Sequence, residues 1–140
     1  MNDTTQALDL IQPILRRELP DLQALYLFGS RVDGGDHPGS DLDLAVLLAR
    51  GQRGDRPGLR LMAVRALCEE AIQRRVDLLD LRRADAVLRM QVLRGRRLIC
   101  LDPVAVATFE MYAISLYQKL NQERRALLEQ FQRTGRAYRC

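Results

Sequence analysis

The sequence predicts one small α/β domain in which four short strands alternate with four helices. Three observations carry that prediction. A chain of 140 residues has room for a single compact core. Its 47% hydrophobic content, beside 29% charged residues, is enough to bury that core and excludes a disordered tail or a fibrous repeat. Short aliphatic runs bounded by Gly, Pro or Asp also alternate with stretches of helical periodicity. No stretch approaches the roughly 20 apolar residues of a membrane span, and the start MNDTTQALDL has neither the basic nor the apolar block of a signal peptide. A cytoplasmic protein without a membrane partner is therefore expected.

The elements follow in order. Over 4–19, Leu8, Ile11, Leu15 and Leu19 share one helical stripe, and Pro20 ends the run. ALYLF (24–28), too short and too apolar for a helix of its own, reads as a buried strand closed by Gly29-Ser30. RVDGGDHPGS (31–40), with three glycines and a proline, is a loop feeding a second strand, DLDLAVLL (41–48). After the polar connection 49–58, a second helix is expected to turn Leu59, Met62, Ala63, Ala66, Leu67 and Ala71 inward. RVDLLDL (75–81) is a third strand, DAVLRMQVLRG (85–95) a short helix stopped by Gly95, and RLICL (97–101) a fourth strand. Asp102-Pro103 then pairs an N-cap with a proline at the first helical position, opening a run without Gly or Pro to about Phe131.

The resulting division is a core over 1–101, a long helix over 103–132 and a basic tail over 133–140, all within one domain. A helix of about 30 residues is roughly 45 Å long, whereas a chain of this size has a radius of gyration near 14 Å, so its end should overhang the body. Phe109, Ala113, Leu116, Leu120, Leu127 and Phe131 form the stripe expected to meet the core. Met111, Ile114, Tyr117 and Leu128 leave a second apolar face, open either to a partner or to another helix of the chain.

Three cysteines, Cys68, Cys100 and Cys140, lack any CxxC pair, which argues against a disulfide framework or a zinc site and reads as two core thiols and a free end. A single histidine, His37, excludes metal sites built on paired histidines and reads as a solvated loop residue. The net charge of +4 hides a gradient: residues 1–49 carry three Arg against eight acids, while residues 50–97 carry thirteen Arg against six. The arginine series from Arg50 to Arg97 is either a solvated face or a surface that meets an acidic partner or RNA. Three Phe and four Tyr, several on core stripes, leave few platforms for bases, so direct nucleic-acid reading is disfavoured.

The chemistry concentrates in LFGSRVDGGDHPGSDLDLAV (27–46). Strand alternation puts Asp41 and Asp43 on one face with Cα atoms roughly 6.5 Å apart. Two carboxylates that close repel unless they are hydrogen-bonded, protonated or bound to a cation. Oxygen ligands without His or Cys select Mg²⁺, or Mn²⁺, and paired carboxylates can hold two ions about 3.5 to 4 Å apart. Gly29-Ser30, where a strand turns sharply, frees backbone N–H groups and a hydroxyl for a phosphate. Arg31 beside them contacts phosphate or pairs with a nearby Asp. A third carboxylate comes from the 75–81 strand. Asp77 and Asp80 are three apart and face opposite sides, so only one can join; Asp77 is the choice and Asp80 the fallback. A DxD alone fits an ordinary surface turn; it is the Gly-Ser upstream and Asp77 downstream that turn it into a site.

Gly29-Ser30, ten residues, then Asp41-Leu42-Asp43 resembles the signature of the DNA polymerase beta-like nucleotidyltransferase superfamily. With the VDLLDL strand and the long last helix, the whole chain looks like the minimal nucleotidyltransferases, the antitoxin half of pairs with HEPN-domain ribonucleases. The resemblance implies a small mixed sheet with flanking helices. It implies transfer of AMP from ATP to a tyrosine hydroxyl of a cognate HEPN toxin, with which the chain would form a hetero-oligomer. Asp41, Asp43 and Asp77 match the catalytic and metal-ligating carboxylates, and Gly29, Ser30, Arg31 and Ser40 the nucleotide-binding positions, with Mg²⁺ as cofactor, in two ions, and ATP as substrate. The family loop often reads GSRARG, whereas this chain has GSRVDGGDHPG, which adds Asp33 and Asp36 at the phosphate entrance. Two other readings fit the same residues: an antitoxin that masks its toxin by binding alone, and a nucleotidyltransferase acting on a small molecule of the aminoglycoside type.

Overall fold

A computed structural model describes residues 3–29, 41–51 and 57–134. Helix α1 spans Asp3–Glu18, and Leu8, Ile11, Leu15 and Leu19 are all buried, as their stripe predicts. Pro13 lies inside this helix on its exposed side, where water can meet the carbonyl that loses its donor. Strands β1 (Leu22–Leu27) and β2 (Leu42–Leu48) follow, then α2 (Pro57–Ile72) and β3 (Val76–Asp80). One 3-10 turn (Leu81–Arg83) leads to α3 (Ala86–Leu93), β4 (Arg96–Cys100) and α4 (Pro103–Thr134).

The sheet order is β3-β2-β1-β4. β1 pairs antiparallel with β2 and with β4, and β2 runs parallel to β3, so the sheet is mixed. The parallel pair needs a crossover, which α2 supplies. β1 and β2, central and buried on both faces, are the two most continuously apolar strands. One face packs Leu25, Leu42, Leu44, Val46 and Val76 against α1 and α2. The other packs Ala24, Tyr26, Ala45 and Leu47 beneath α3 and α4 through Val92, Val106, Phe109 and Ala113.

The helix boundaries obey the cap chemistry read from the sequence. Asp102 Oδ1 accepts from the Ala105 amide at 3.1 Å, and Asp85 Oδ1 from the Leu88 amide at 2.8 Å. Gly95 ends α3 because the chain there presses on β1: a Cβ on Gly95 would collide with the Leu27 carbonyl oxygen.

Three expectations are corrected. On α2, Leu59, Met62, Ala63, Ala66, Leu67 and Ala71 are all exposed, and Leu61, Val64 and Cys68 face the core instead. The helix is apolar nearly all round, so two stripes satisfy the same spacing, and packing on α1 selects the second. On α4, Phe109 and Ala113 are buried with Val106, but Leu116, Leu120 and Leu127 are exposed and Phe131 is only half-buried. Periodicity marks an apolar face, not how far the body extends beneath it. Of the second face, Met111 and Leu128 are likewise exposed, whereas Ile114 and the half-buried Tyr117 share a cleft with Met90 of α3 and Arg94, whose guanidinium lies 5.6 Å from the Tyr117 ring. Of the two thiols expected in the core, Cys68 is buried and Cys100 is exposed at the end of the edge strand β4.

Candidate active site

The register of the parallel pair builds the acidic end of the sheet. Leu42 stands opposite Val76, Asp43 opposite Asp77, and Leu44 opposite Leu78. The leucines and Val76 belong to the α1/α2 core, so alternation sends Asp43 and Asp77 together to the other face. Asp43 is half-buried and Asp77 exposed. Asp41 lies one residue before β2 and, two residues from Asp43, on the same side; it is exposed, with Arg75 Nε 4.0 Å from its Oδ1. That arginine was not singled out from the sequence. The signal was available, because Val76 paired with Leu42 puts Arg75 beside Asp41, and the Arg75 carbonyl accepts from the Leu42 amide at 2.9 Å.

Asp80 has a different task. It sits at the far end of β3 as the N-cap of the 3-10 turn, accepting from the Arg82 amide at 3.2 Å, with Arg83 Nε 3.6 Å from its second oxygen. Of the two candidate third carboxylates, Asp77 is the one on the Asp43 face.

The turn after β1 meets these carboxylates through its backbone. The Phe28 amide donates to the Asp43 carbonyl at 3.1 Å, and Gly29 then adopts φ +80°. A Cβ on Gly29 would lie 2.5 Å from Asp43 Oδ2. Only glycine satisfies both the left-handed backbone and that approach. The chain thus brings a bare stretch of main chain against the Asp43 carboxylate, a cradle that any side chain would fill. Ser30, Arg31, Asp33, Asp36, His37 and Ser40 lie outside the described residues.

Among the described residues no three His, Cys, Asp or Glu side chains converge closely enough to cage an ion by themselves. The donor set nevertheless suits magnesium, which is commonly held by one or two carboxylates and completed by substrate phosphates and water. Asp41, Asp43 and Asp77 supply hard oxygen on one face, and the turn at Gly29 brings bare main chain against the Asp43 carboxylate.

Acids at adjacent strand starts thus share one face of the sheet, with a glycine turn lying against Asp43. Residues 9–103 match the family model for Polymerase beta, Nucleotidyltransferase, and the chain belongs to that family. It is 34% identical over 116 residues to the protein adenylyltransferase MntA of Shewanella oneidensis, covering 83% of this chain and 81% of that one. A crystal structure of a toxin-antitoxin with AMP-PNP superposes with a TM-score of 0.72 at 34% identity, over 89% of this chain and 97% of the matched one. A second, of tri-AMPylated Shewanella oneidensis HEPN toxin in complex with MNT antitoxin, gives 0.68 at 30% identity, over 91% and 98%. The fold, the family and the resemblance to minimal nucleotidyltransferases implied by the Gly-Ser and DxD spacing are borne out. No described helix is long and apolar enough to cross a membrane.

Proposed function

We propose that this chain is a protein adenylyltransferase that moves AMP from ATP to a tyrosine hydroxyl of a HEPN-domain toxin and acts as that toxin's antitoxin in a cytoplasmic hetero-oligomer. The observation that carries the reading is the side-by-side register of Asp43 and Asp77 with Gly29 lying against Asp43. The similarity to MntA supports the acceptor class.

In this reading Asp41 and Asp43 would hold Mg²⁺, with Asp77 as the third ligand, and the bound ion would supply the charge that polarises an α-phosphate and offsets a departing pyrophosphate. Gly29, followed by Ser30, Arg31 and Ser40, receives the triphosphate on main-chain N–H groups and side-chain donors. Asp77, the outermost of the facing pair, orients the incoming hydroxyl and accepts its proton as the oxygen attacks phosphorus. Arg75 beside Asp41 offsets part of the negative charge gathered when the site is empty.

The test is incubation of the chain with Mg²⁺, labelled ATP and its HEPN partner. Label on the partner that disappears with Asp41→Asn is the expected result. A stable complex without label would replace transfer by masking, and label on an aminoglycoside but not on the partner would replace the acceptor class.

A further inference from the structure

The opposite end of the sheet carries a site of the other sign. From Asp43 to Leu48, β2 advances roughly 17 Å at 3.3 to 3.4 Å per residue. Beyond it, Arg50 after β2, Arg82 in the 3-10 turn and Arg89 on α3 converge with α4 on a groove of about 590 Å³. Among the described residues no carboxylate lines it.

Two of the guanidiniums, those of Arg82 and Arg89, are positioned by uncharged acceptors, and the carboxylates of Asp21 and Asp80 lie in the adjoining cleft, outside this groove. Arg82 donates from Nε to the Leu48 carbonyl at 2.5 Å and from a terminal nitrogen to Gln23 Oε1 at 2.8 Å. Arg89 donates to the carbonyls of Leu81, at 3.3 Å, and Arg82, at 2.5 Å. All four acceptors are uncharged. Arg82 and Arg89 also lie over the Phe109 ring, 5.4 and 5.0 Å from its centre, which fixes both forks above an apolar floor. The acid that acts on Arg82 is Asp80, and its oxygens are already engaged by the Arg82 amide and by Arg83. Burial, then the charges of Arg50 and Arg89, press the Arg82 guanidinium below its ordinary value, with Asp80 opposing. Like charges gathered in a partly desolvated groove are unfavourable until an anion joins them.

Arginine forks match phosphate oxygens in geometry as well as charge. The groove is far larger than one phosphate and falls within the range of small-molecule sites, about 300 to 1,000 Å³. Tyr112 adds a planar wall to it and is 77% exposed, free to stack on a flat ring.

We propose that this groove is a second, non-catalytic binding site for a nucleotide, with the phosphates on Arg50, Arg82 and Arg89 and the base against Tyr112. Because its charge is supplied by arginine, with no carboxylate among the described lining residues, it binds without a divalent ion, unlike the acidic end.

That difference is the test. The full chain is titrated in EDTA with a fluorescent ADP analogue and, separately, with pyrophosphate. ADP is expected to bind, and pyrophosphate to bind more weakly because it lacks the ring. Arg50→Glu, an exposed position expected to keep the thermal midpoint, weakens ADP about tenfold or more, the size of a lost charge-assisted bond plus the repulsion that replaces it. Tyr112→Ala brings ADP down to the pyrophosphate value, and Asp43→Asn changes neither. No binding in EDTA, ADP binding indifferent to Arg50→Glu, equal affinity for ADP and pyrophosphate, or loss of binding with Asp43→Asn would each overturn the proposal.

Discussion

The two ends of the sheet are assembled by different means. At one end, strand register alone sets Asp43 beside Asp77, and the neighbouring glycine withholds a side chain so that the Asp43 carboxylate stays accessible. At the other, three arginines arrive from a strand end, a 3-10 turn and a helix, and two of them, Arg82 and Arg89, are held by carbonyls, an amide and one aromatic ring. Neither end is local in sequence, since Asp43 meets Asp77 and Arg82 meets the Leu48 carbonyl each across 34 positions; backbone register sets the acidic end and side-chain packing the basic one. One sheet thereby gathers carboxylates at one end and arginines at the other, the places of the two proposed sites.

The contrast can be broken from the acidic side first. Asp43→Asn keeps the shape and removes the charge, and transfer is expected to fall by about 10³-fold or more with the fold intact, measured as AMP incorporated per minute beside a circular dichroism spectrum. Asp77→Asn is expected to cost about 10²-fold, the scale of a lost general base, whereas Asp80→Ala leaves transfer unchanged and lowers stability by about 1 kcal/mol through the lost cap. Equal losses from the two would refute the assignment of faces. Gly29→Ala is expected to destabilise the chain by about 1 to 3 kcal/mol and to weaken nucleotide binding, because the new Cβ must displace the Asp43 carboxylate.

The smallest effect is in pH and involves neither end. Burial first, with the Glu69 charge adding to it, pushes the Cys68 thiol up to about 11, and burial followed by Glu110 raises the Tyr26 hydroxyl as well. Both groups hold their protons more tightly folded than unfolded, so their contribution is complete below the unfolded pKa and is lost as pH rises through the folded one. The thermal midpoint should fall from pH 9 to 11, and Cys68→Ala should make that slope shallower. In the native protein at pH 8, Cys100 and not Cys68 is expected to react with iodoacetamide.

Much of the molecule was legible in the sequence, and the exceptions have physical causes. Strand pairs such as ALYLF and LDLAVLL carry their burial in their composition, and the three-residue spacing of Asp77 and Asp80 announces opposite faces. The buried face of α2 was not legible, because a helix apolar all round offers more than one stripe and its neighbour chooses. Nor was the point at which α4 leaves the body after Ala113, which depends on where the core ends. Cys100 looked like a core thiol because an edge strand shares the composition of a central one. The groove of Arg50, Arg82 and Arg89 was visible only as a run of positive charge; Gln23, which holds Arg82, is 59 residues away. The glycine at 29 was expected to serve phosphate, and its closest structural constraint proved to be Asp43.

The most direct test of the central claim, that transfer belongs to the acidic end alone, is the intact mass of the HEPN partner after incubation with Mg²⁺, ATP and each of three proteins: the native chain, Asp43→Asn and Arg50→Glu. Mass added in steps of AMP by the native chain and by Arg50→Glu, and none by Asp43→Asn, is the expected result. Unmodified partner with the native chain, or modification that survives Asp43→Asn, would contradict it.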